Sequence, residues 1–343
     1  MPVTPTTKDN FIVDNQWASV PEHIKIDNCH ELAQSKDGRI FLSADHPDNN
    51  IIIFSPEGDF LESWTLGYDG CHGLTLFEQG EHEYLLITQT GVTEIDGIVK
   101  KGLGEVVKTD LKGNVLHTFA NPFELGIYPD ELTYNPTETC VAPNGDIYIA
   151  DGYGASYIHS FTQQGEYQFS FGGSELAPDN ASLINPHGIT IDPRFTDING
   201  NPLLVVSSRK QSKFKHFTLT GEFVHSTHLP GAYPCRAVIN GDHLYSGVCW
   251  SGPIVSDDDL TNYANRLDES GFVIVLDKQG RVVEAIGAQK PEYIDDSLQP
   301  LNALSDSPFA HIHDVLPLSD GSMLISQWRG HQTLPYRIQP KNL

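Results

Sequence analysis

The chain has 343 residues, 39% of them hydrophobic, which suffices for a sizeable core in two average domains or one large all-β domain. With 45 acidic against 21 basic residues, the formal net charge of −24 repels phosphate backbones and anionic lipid and argues against nucleic-acid and membrane partners. No apolar run approaches the roughly 18 residues that cross a bilayer. The first nine residues lack a basic stretch followed by an apolar one, so the expected compartment is the cytoplasm.

The stretch before Cys29 carries no repeat. From there on, six segments share one plan: a short strand, a turn built on Gly with Asp or Asn, a second apolar strand, a loop, then a third strand. They open at Cys29-His30-Glu31-Leu32, Cys71-His72-Gly73-Leu74, Pro136-Thr137-Glu138-Thr139, Pro186-His187-Gly188-Ile189, Pro234-Cys235-Arg236-Ala237 and Ile312-His313-Asp314-Val315. The third segment shows the unit best. Thr139–Ala142 leads through Pro143-Asn144-Gly145-Asp146 into Ile147–Ala150, and two further strands follow at Tyr157–Phe161 and Tyr167–Phe171. Four short antiparallel strands at this period make a propeller blade. Longer gaps after the second and fifth segments predict insertions near Gly91–Leu103, Ser251–Asn265 and Gln289–Ser307. The sixth segment runs out after Tyr336-Arg337-Ile338, one strand short. Part of Phe11–Ile26 is expected to complete it and cover the open sheet edge, which an open solenoid would leave bare. The expected architecture is all-β: one six-bladed β-propeller domain over residues 1–343, closed by an N-terminal strand.

Five cysteines (Cys29, Cys71, Cys140, Cys235, Cys249) form no CxxC pair and no disulfide framework; Cys29 and Cys71 are the first pair to check for a single bridge.

One position compared across the six repeats reads His30, His72, Thr137, His187, Cys235, His313. The first strand of each blade lines the channel, so equivalent residues form a ring. Alternate blades of six are about 120° apart, and His72, His187 and His313 can therefore converge on one point. Three neutral nitrogens with an open fourth position suit catalytic zinc. A lone histidine there would only fill the channel mouth; three on alternate blades point to metal. His30 breaks the alternation and is either a neighbour of the ligands or a rim residue.

The loops after the second strands place His46, Tyr153, Arg209 and Trp328 at equivalent positions on the same face. Tyr153 suits a general base and Arg209 a two-pronged grip on a carboxylate. The plainer readings are a rim aromatic and a surface cation beside Lys210, Lys213 and Lys215. Asp314 follows His313 and, by strand alternation, should point away from the metal. A carboxylate at the axis needs compensation, which a calcium ion on Asp314 and inward backbone carbonyls would supply. Backbone amides are the alternative.

These residues resemble a known family, the catalytic domain of peptidyl-α-hydroxyglycine α-amidating lyase, a six-bladed propeller with NHL-like repeats. The matching pieces are Cys71-His72-Gly73-Leu74-Thr75, Asp151-Gly152-Tyr153, Pro186-His187-Gly188-Ile189 and His313-Asp314, with Ser208-Arg209 weaker. The resemblance implies zinc on the three histidines and calcium on Asp314 and carbonyls such as that of Leu74, with Leu32 as a further carbonyl donor. It also implies Tyr153 as base and Arg209 within the site. The family's first-blade loop carries a further catalytic arginine; here that loop reads Ser43-Ala44-Asp45-His46-Pro47. His46, Arg329 or the long fifth-repeat insertion would then have to supply positive charge. The expected function is a zinc-dependent lyase cleaving a carbinolamide-like or small hydroxy-acid substrate with an anionic group. A lactonase-type hydrolase and a non-catalytic NHL-type binding propeller are the alternatives.

Overall fold

The computed structural model describes residues 6–8, 11–95, 98–174, 180–252, 270–330 and 332–341. Among them the regular structure is strand, apart from one 3-10 turn at Arg209–Gln211. Six sheets of at least four antiparallel strands follow one another along the chain. The third shows the plan: Glu138–Val141, Ile147–Ala150, Tyr157–Phe161 and Tyr167–Gly172 pair in simple succession. Its turns need Gly145 and Gly165, whose φ values of 91° and 85° fall where a side chain is strained.

Middle strands are apolar on both faces. Ile40–Ala44, Ile51–Phe54 and Ile147–Ala150 are buried throughout. Outer strands such as Phe223–His228 alternate between half-buried and exposed. The difference follows from packing, because a middle strand is covered by a neighbouring blade on each side. Apolar clusters join every neighbouring pair. Phe41 and Ile51 of the first blade meet Leu74 and Ile87 of the second, and Leu86 and Val106 meet Ile147 and Phe161 of the third. Tyr148 and Ile158 meet Leu204 and Phe217 of the fourth, whose Val205 and Phe214 meet Phe272 and Ile274 of the fifth. Val273 meets Ile312 and Ile325 of the sixth, and Leu324 returns to Leu32 and Phe54 of the first. The ring therefore closes at six. Each fully buried Leu, Ile or Phe contributes about 1.5–3 kcal/mol.

Closure occurs as the missing strand predicts. Phe11–Asp14 pairs with Tyr336–Pro340, with Val13 opposite Ile338, and Thr6–Lys8 adds a further strand outside it. Val13 joins the core between the fifth and sixth blades. The second-blade insertion forms a hairpin of Val92–Ile95 and Ile98–Lys101; the one before the sixth blade contains Tyr293–Ile294 paired with Ser297–Leu298. Most of the expected Ser251–Asn265 insertion lies outside the described residues. The Cys29–Cys71 bridge does not form. All five cysteines are buried free thiols, Cys29 facing the Thr333 carbonyl and Cys71 that of Asn50. Among the described residues, no helix is long and apolar enough to cross a membrane.

Candidate metal centre

Short polar residues on the second strands fix the ring. Ser43 donates to the His72 carbonyl at 2.7 Å, Thr88 to that of Thr137 at 3.1 Å, and Ser326 to that of His30. Register shifts interrupt the first strands at this level in the first, second, fourth, fifth and sixth blades. Such bulges bend a strand and re-aim its side chains. Consecutive residues here therefore both reach the axis, and Asp314 faces Arg236 in the layer next to the histidines.

His72, His187 and His313 converge at the channel mouth, with ring centroids 4.6–4.8 Å apart. The Nε2 atoms of His72 and His313 lie 3.1 Å apart. Ligand atoms held tetrahedrally at 2.0–2.3 Å from one ion lie roughly 3.3–3.8 Å from one another. His72 Nδ1 donates to the Thr137 carbonyl at 2.8 Å, which leaves the lone pair on Nε2, the tautomer a metal ligand needs. Burial holds all three rings well below the usual histidine range, reinforced by nearby Arg209, so they stay neutral. The Nδ1 atoms of His30, His187 and His313 are buried without a hydrogen-bond partner. Neutral imidazole nitrogens are donors of the kind a borderline or soft divalent ion such as zinc takes, but among the described residues His72, His187 and His313 by themselves are not a compact trio of ligand atoms.

Two more donors belong to the cluster. His30 lies 4.6 Å from His72 and 4.7 Å from His313, ring to ring, so it is a neighbour of the ligands and not a rim residue. Its Nε2 is 3.4 Å from Asp45. The compact trios of ligand atoms are His30, His72, His313 and His187, Cys235, His313. Cys235 opposes burial with hydrogen bonds from Cys249 and Arg209, which pull its thiol below the ordinary range, whereas burial pushes Cys249 well above it.

Tyr153 hangs over the ring. Its hydroxyl is 3.0 Å from His187 Nε2, 3.3 Å from His72 Nε2 and 3.5 Å from Arg209 Nη2. Its loop is clamped by Asp151, which accepts from the Asn135 and Ala155 amides and the Tyr128 hydroxyl. Burial pushes that carboxyl up to about 6 against those donors. Asn185 ties the two functional loops together: its amide donates to the Gly152 carbonyl at 2.6 Å and its oxygen accepts from Arg209 Nε at 2.8 Å. Arg209 also stacks 4.9 Å over Trp250, and Arg329 lies 4.5 Å over Trp328. Trp328 packs 6.4 Å from Trp250, so both belong to one aromatic wall. His46 is used differently from the expectation. Its Nδ1 accepts from the Asp48 amide and shapes its own turn.

The calcium expectation is corrected. The guanidinium of Arg236 takes the place between its assigned oxygens. It donates to the carbonyls of Leu32 at 3.0 Å and Leu74 at 3.1 Å, to Glu31 at 3.1 Å, and to both oxygens of Asp314. Glu138 lies 3.7 Å away. The Leu32 amide also donates to Asp314. An arginine from the fifth blade that reaches the first, second, third and sixth must lie on the axis. The residue after the ring position supplies this layer: Glu31, Gly73, Glu138, Gly188, Arg236, Asp314. The two glycines are steric necessities, since a Cβ would stand 2.5 Å from the Thr137 carbonyl oxygen at Gly73 and 2.5 Å from Arg236 Cα at Gly188.

Sequence reading missed Arg236, Asn185, Trp250 and the ligand role open to Cys235. Reading the repeat alignment one residue beyond the ring position, and two before it, would have exposed Arg236 and Asn185.

No protein-family profile matches the chain. It is 27% identical over 194 residues to NHL repeat-containing protein 3 of Homo sapiens, covering 54% of this chain and 52% of that protein. The Mus musculus protein of the same name is 25% identical over 186 residues, covering 53% and 51%. The chain thus spans about half the length of the curated relatives it matches. Among solved structures, a Bacteroides thetaiotaomicron protein of unknown function superposes with a TM-score of 0.59 at 12% identity, covering 96% of this chain and 76% of that one. Virginiamycin B lyase from Staphylococcus aureus gives 0.52 at 12% identity, covering 96% and 98%. Likeness at this identity shows the fold alone.

Proposed function

We propose that this propeller is a metal-dependent lyase acting at the His72–His187–His313 mouth on a carbinolamide-like or small hydroxy-acid substrate. One observation carries the reading: the Tyr153 hydroxyl lies within 3.0–3.5 Å of His187, His72 and Arg209 together. A zinc ion bound there would supply a Lewis acid that steadies negative charge on a substrate oxygen. Positive charge beside a phenol favours the form a general base requires. Tyr153 takes the substrate hydroxyl proton, the carbonyl forms, the C–N bond breaks, and the departing nitrogen regains a proton. Arg209, oriented by Asn185 and stacked on Trp250, grips the substrate carboxylate. The neutral histidines and the channel wall exclude water.

A second reading, a non-catalytic binding propeller, is favoured by the likeness to NHL repeat-containing protein 3. Glyoxylate release from α-hydroxyglycine compounds, measured with zinc-loaded protein, separates the two. Release that falls roughly 10²–10⁴-fold in Tyr153→Phe, at unchanged metal content, is expected of the lyase. No turnover of any carbinolamide or hydroxy acid, with metal bound, leaves the binding reading.

A further inference from the structure

We propose that Cys235 is a thiolate ligand of the metal, forming with His187 and His313 a mixed nitrogen–sulfur donor set; this rests on the metal-centre reading above. Cys235 holds the ring position of the fifth blade, between His187 of the fourth and His313 of the sixth. Its Sγ and one nitrogen of each of those rings all lie within 4.8 Å of one another. The three residues are 0%, 0% and 2% exposed. Each neutral imidazole keeps one nitrogen lone pair that a cation can take.

Without metal the Cys235 thiol donates to the Ile312 carbonyl at 3.7 Å, a weak contact that a metal–sulfur bond would replace. On the far side Cys235 packs with Tyr233, Cys249 and Trp250, which keep solvent away. The alternative is a buried thiol that only fills the core. Metal binding would release the thiol proton to solvent. A thiolate shifts the preference of the ring toward softer ions, zinc and copper(I) over magnesium or calcium.

Cobalt(II) reports a sulfur ligand directly. The full chain, purified without a histidine tag and stripped by chelation, is loaded with one equivalent of cobalt(II). Wild type and Cys249→Ser should show near-ultraviolet thiolate-to-cobalt charge-transfer absorption, and Cys235→Ser should lose it while still binding cobalt through the histidines. Should Cys235→Ser fail to fold, Cys235→Ala carries the same comparison. Bound cobalt without the band in wild type removes Cys235 and leaves the histidine centre standing. A band that survives Cys235→Ser assigns the sulfur elsewhere and overturns the proposal. No cobalt bound to folded wild type overturns the metal-centre reading as well.

Discussion

Two layers of the channel, one residue apart on the same strands, solve their charge problem in opposite ways. The mouth holds His30, His72, Thr137, His187, Cys235 and His313; the next layer holds Glu31, Gly73, Glu138, Gly188, Arg236 and Asp314. In the deeper layer the cation is part of the chain, and Arg236 reaches carboxylates and carbonyls from four other blades, although one oxygen each of Glu31 and Glu138 stays without a hydrogen-bond partner. At the mouth the donors are neutral, buried and partly unpartnered. The contrast separates scaffold from site. A polar layer with its own counter-charge holds a fold in place, whereas neutral donors without one can take a cation from outside.

Substitutions can break that contrast, and the largest effect belongs to the closed layer. Arg236→Ala leaves three buried carboxyl groups without their cation and should cost about 3–5 kcal/mol. At roughly 1.4 °C per kcal/mol for a domain of this size, the melting temperature should fall by about 4–7 °C. Arg236→Lys should recover only part, because one ammonium cannot span the acceptors of a guanidinium. A loss below about 1 kcal/mol would show that the layer is held by something else.

The mouth should answer to metal instead. Zinc at 100 times its dissociation constant should stabilise wild type by about 2.7 kcal/mol. His187→Ala should abolish that gain while keeping a cooperative melt. A calcium-selective chelator should shift neither protein, because the oxygens suited to calcium already bind Arg236.

A smaller effect is expected from pH in zinc-free protein. His159 is buried against the Tyr128 hydroxyl and Ser170, and burial lowers it from 6.5 to about 3. The folded state binds fewer protons there than the unfolded state, so this contribution is full above pH 6.5 and is lost as pH falls toward 3. Each unit within that window removes about 1.4 kcal/mol. Urea unfolding at pH 7.5 and 5.5 should show the slope, and His159→Gln should flatten it. An equal slope in the variant would move the effect to other groups.

The smallest effect should come from His46→Ala, about 0.5 kcal/mol or less, with zinc stoichiometry unchanged. A drop in bound zinc would return His46 to the ring.

Six blades, their order and the closing strand were legible because hydrophobic alternation and Gly turns repeat in the sequence. Tyr153 and the histidines were legible because equivalent repeat positions must share a ring. Arg236 was not, for a physical reason. Strict strand alternation sends the residue after the ring position away from the axis, and only the register shifts at that level bring it back. The disagreement over calcium has the same root, since nothing in the spacing tells whether a carboxylate will meet an ion or a guanidinium. Trp250 escaped because its role depends on which loops pack together, a tertiary fact.

The closing ladder also has a temporal consequence. Phe11–Asp14 finds its partner only at Tyr336–Pro340, so almost the whole chain must leave the ribosome before the ring can shut. At 5–20 residues per second that wait is roughly 20–60 s. Meanwhile the strand carrying Phe11 and Val13 has only Thr6–Lys8 beside it and one bare edge, and His313 reaches the mouth only with the sixth blade. Completion of the histidine ring and closure of the sheet therefore belong to the same late step of synthesis. A nascent chain stalled before that step would expose an open strand edge and a broken ring together.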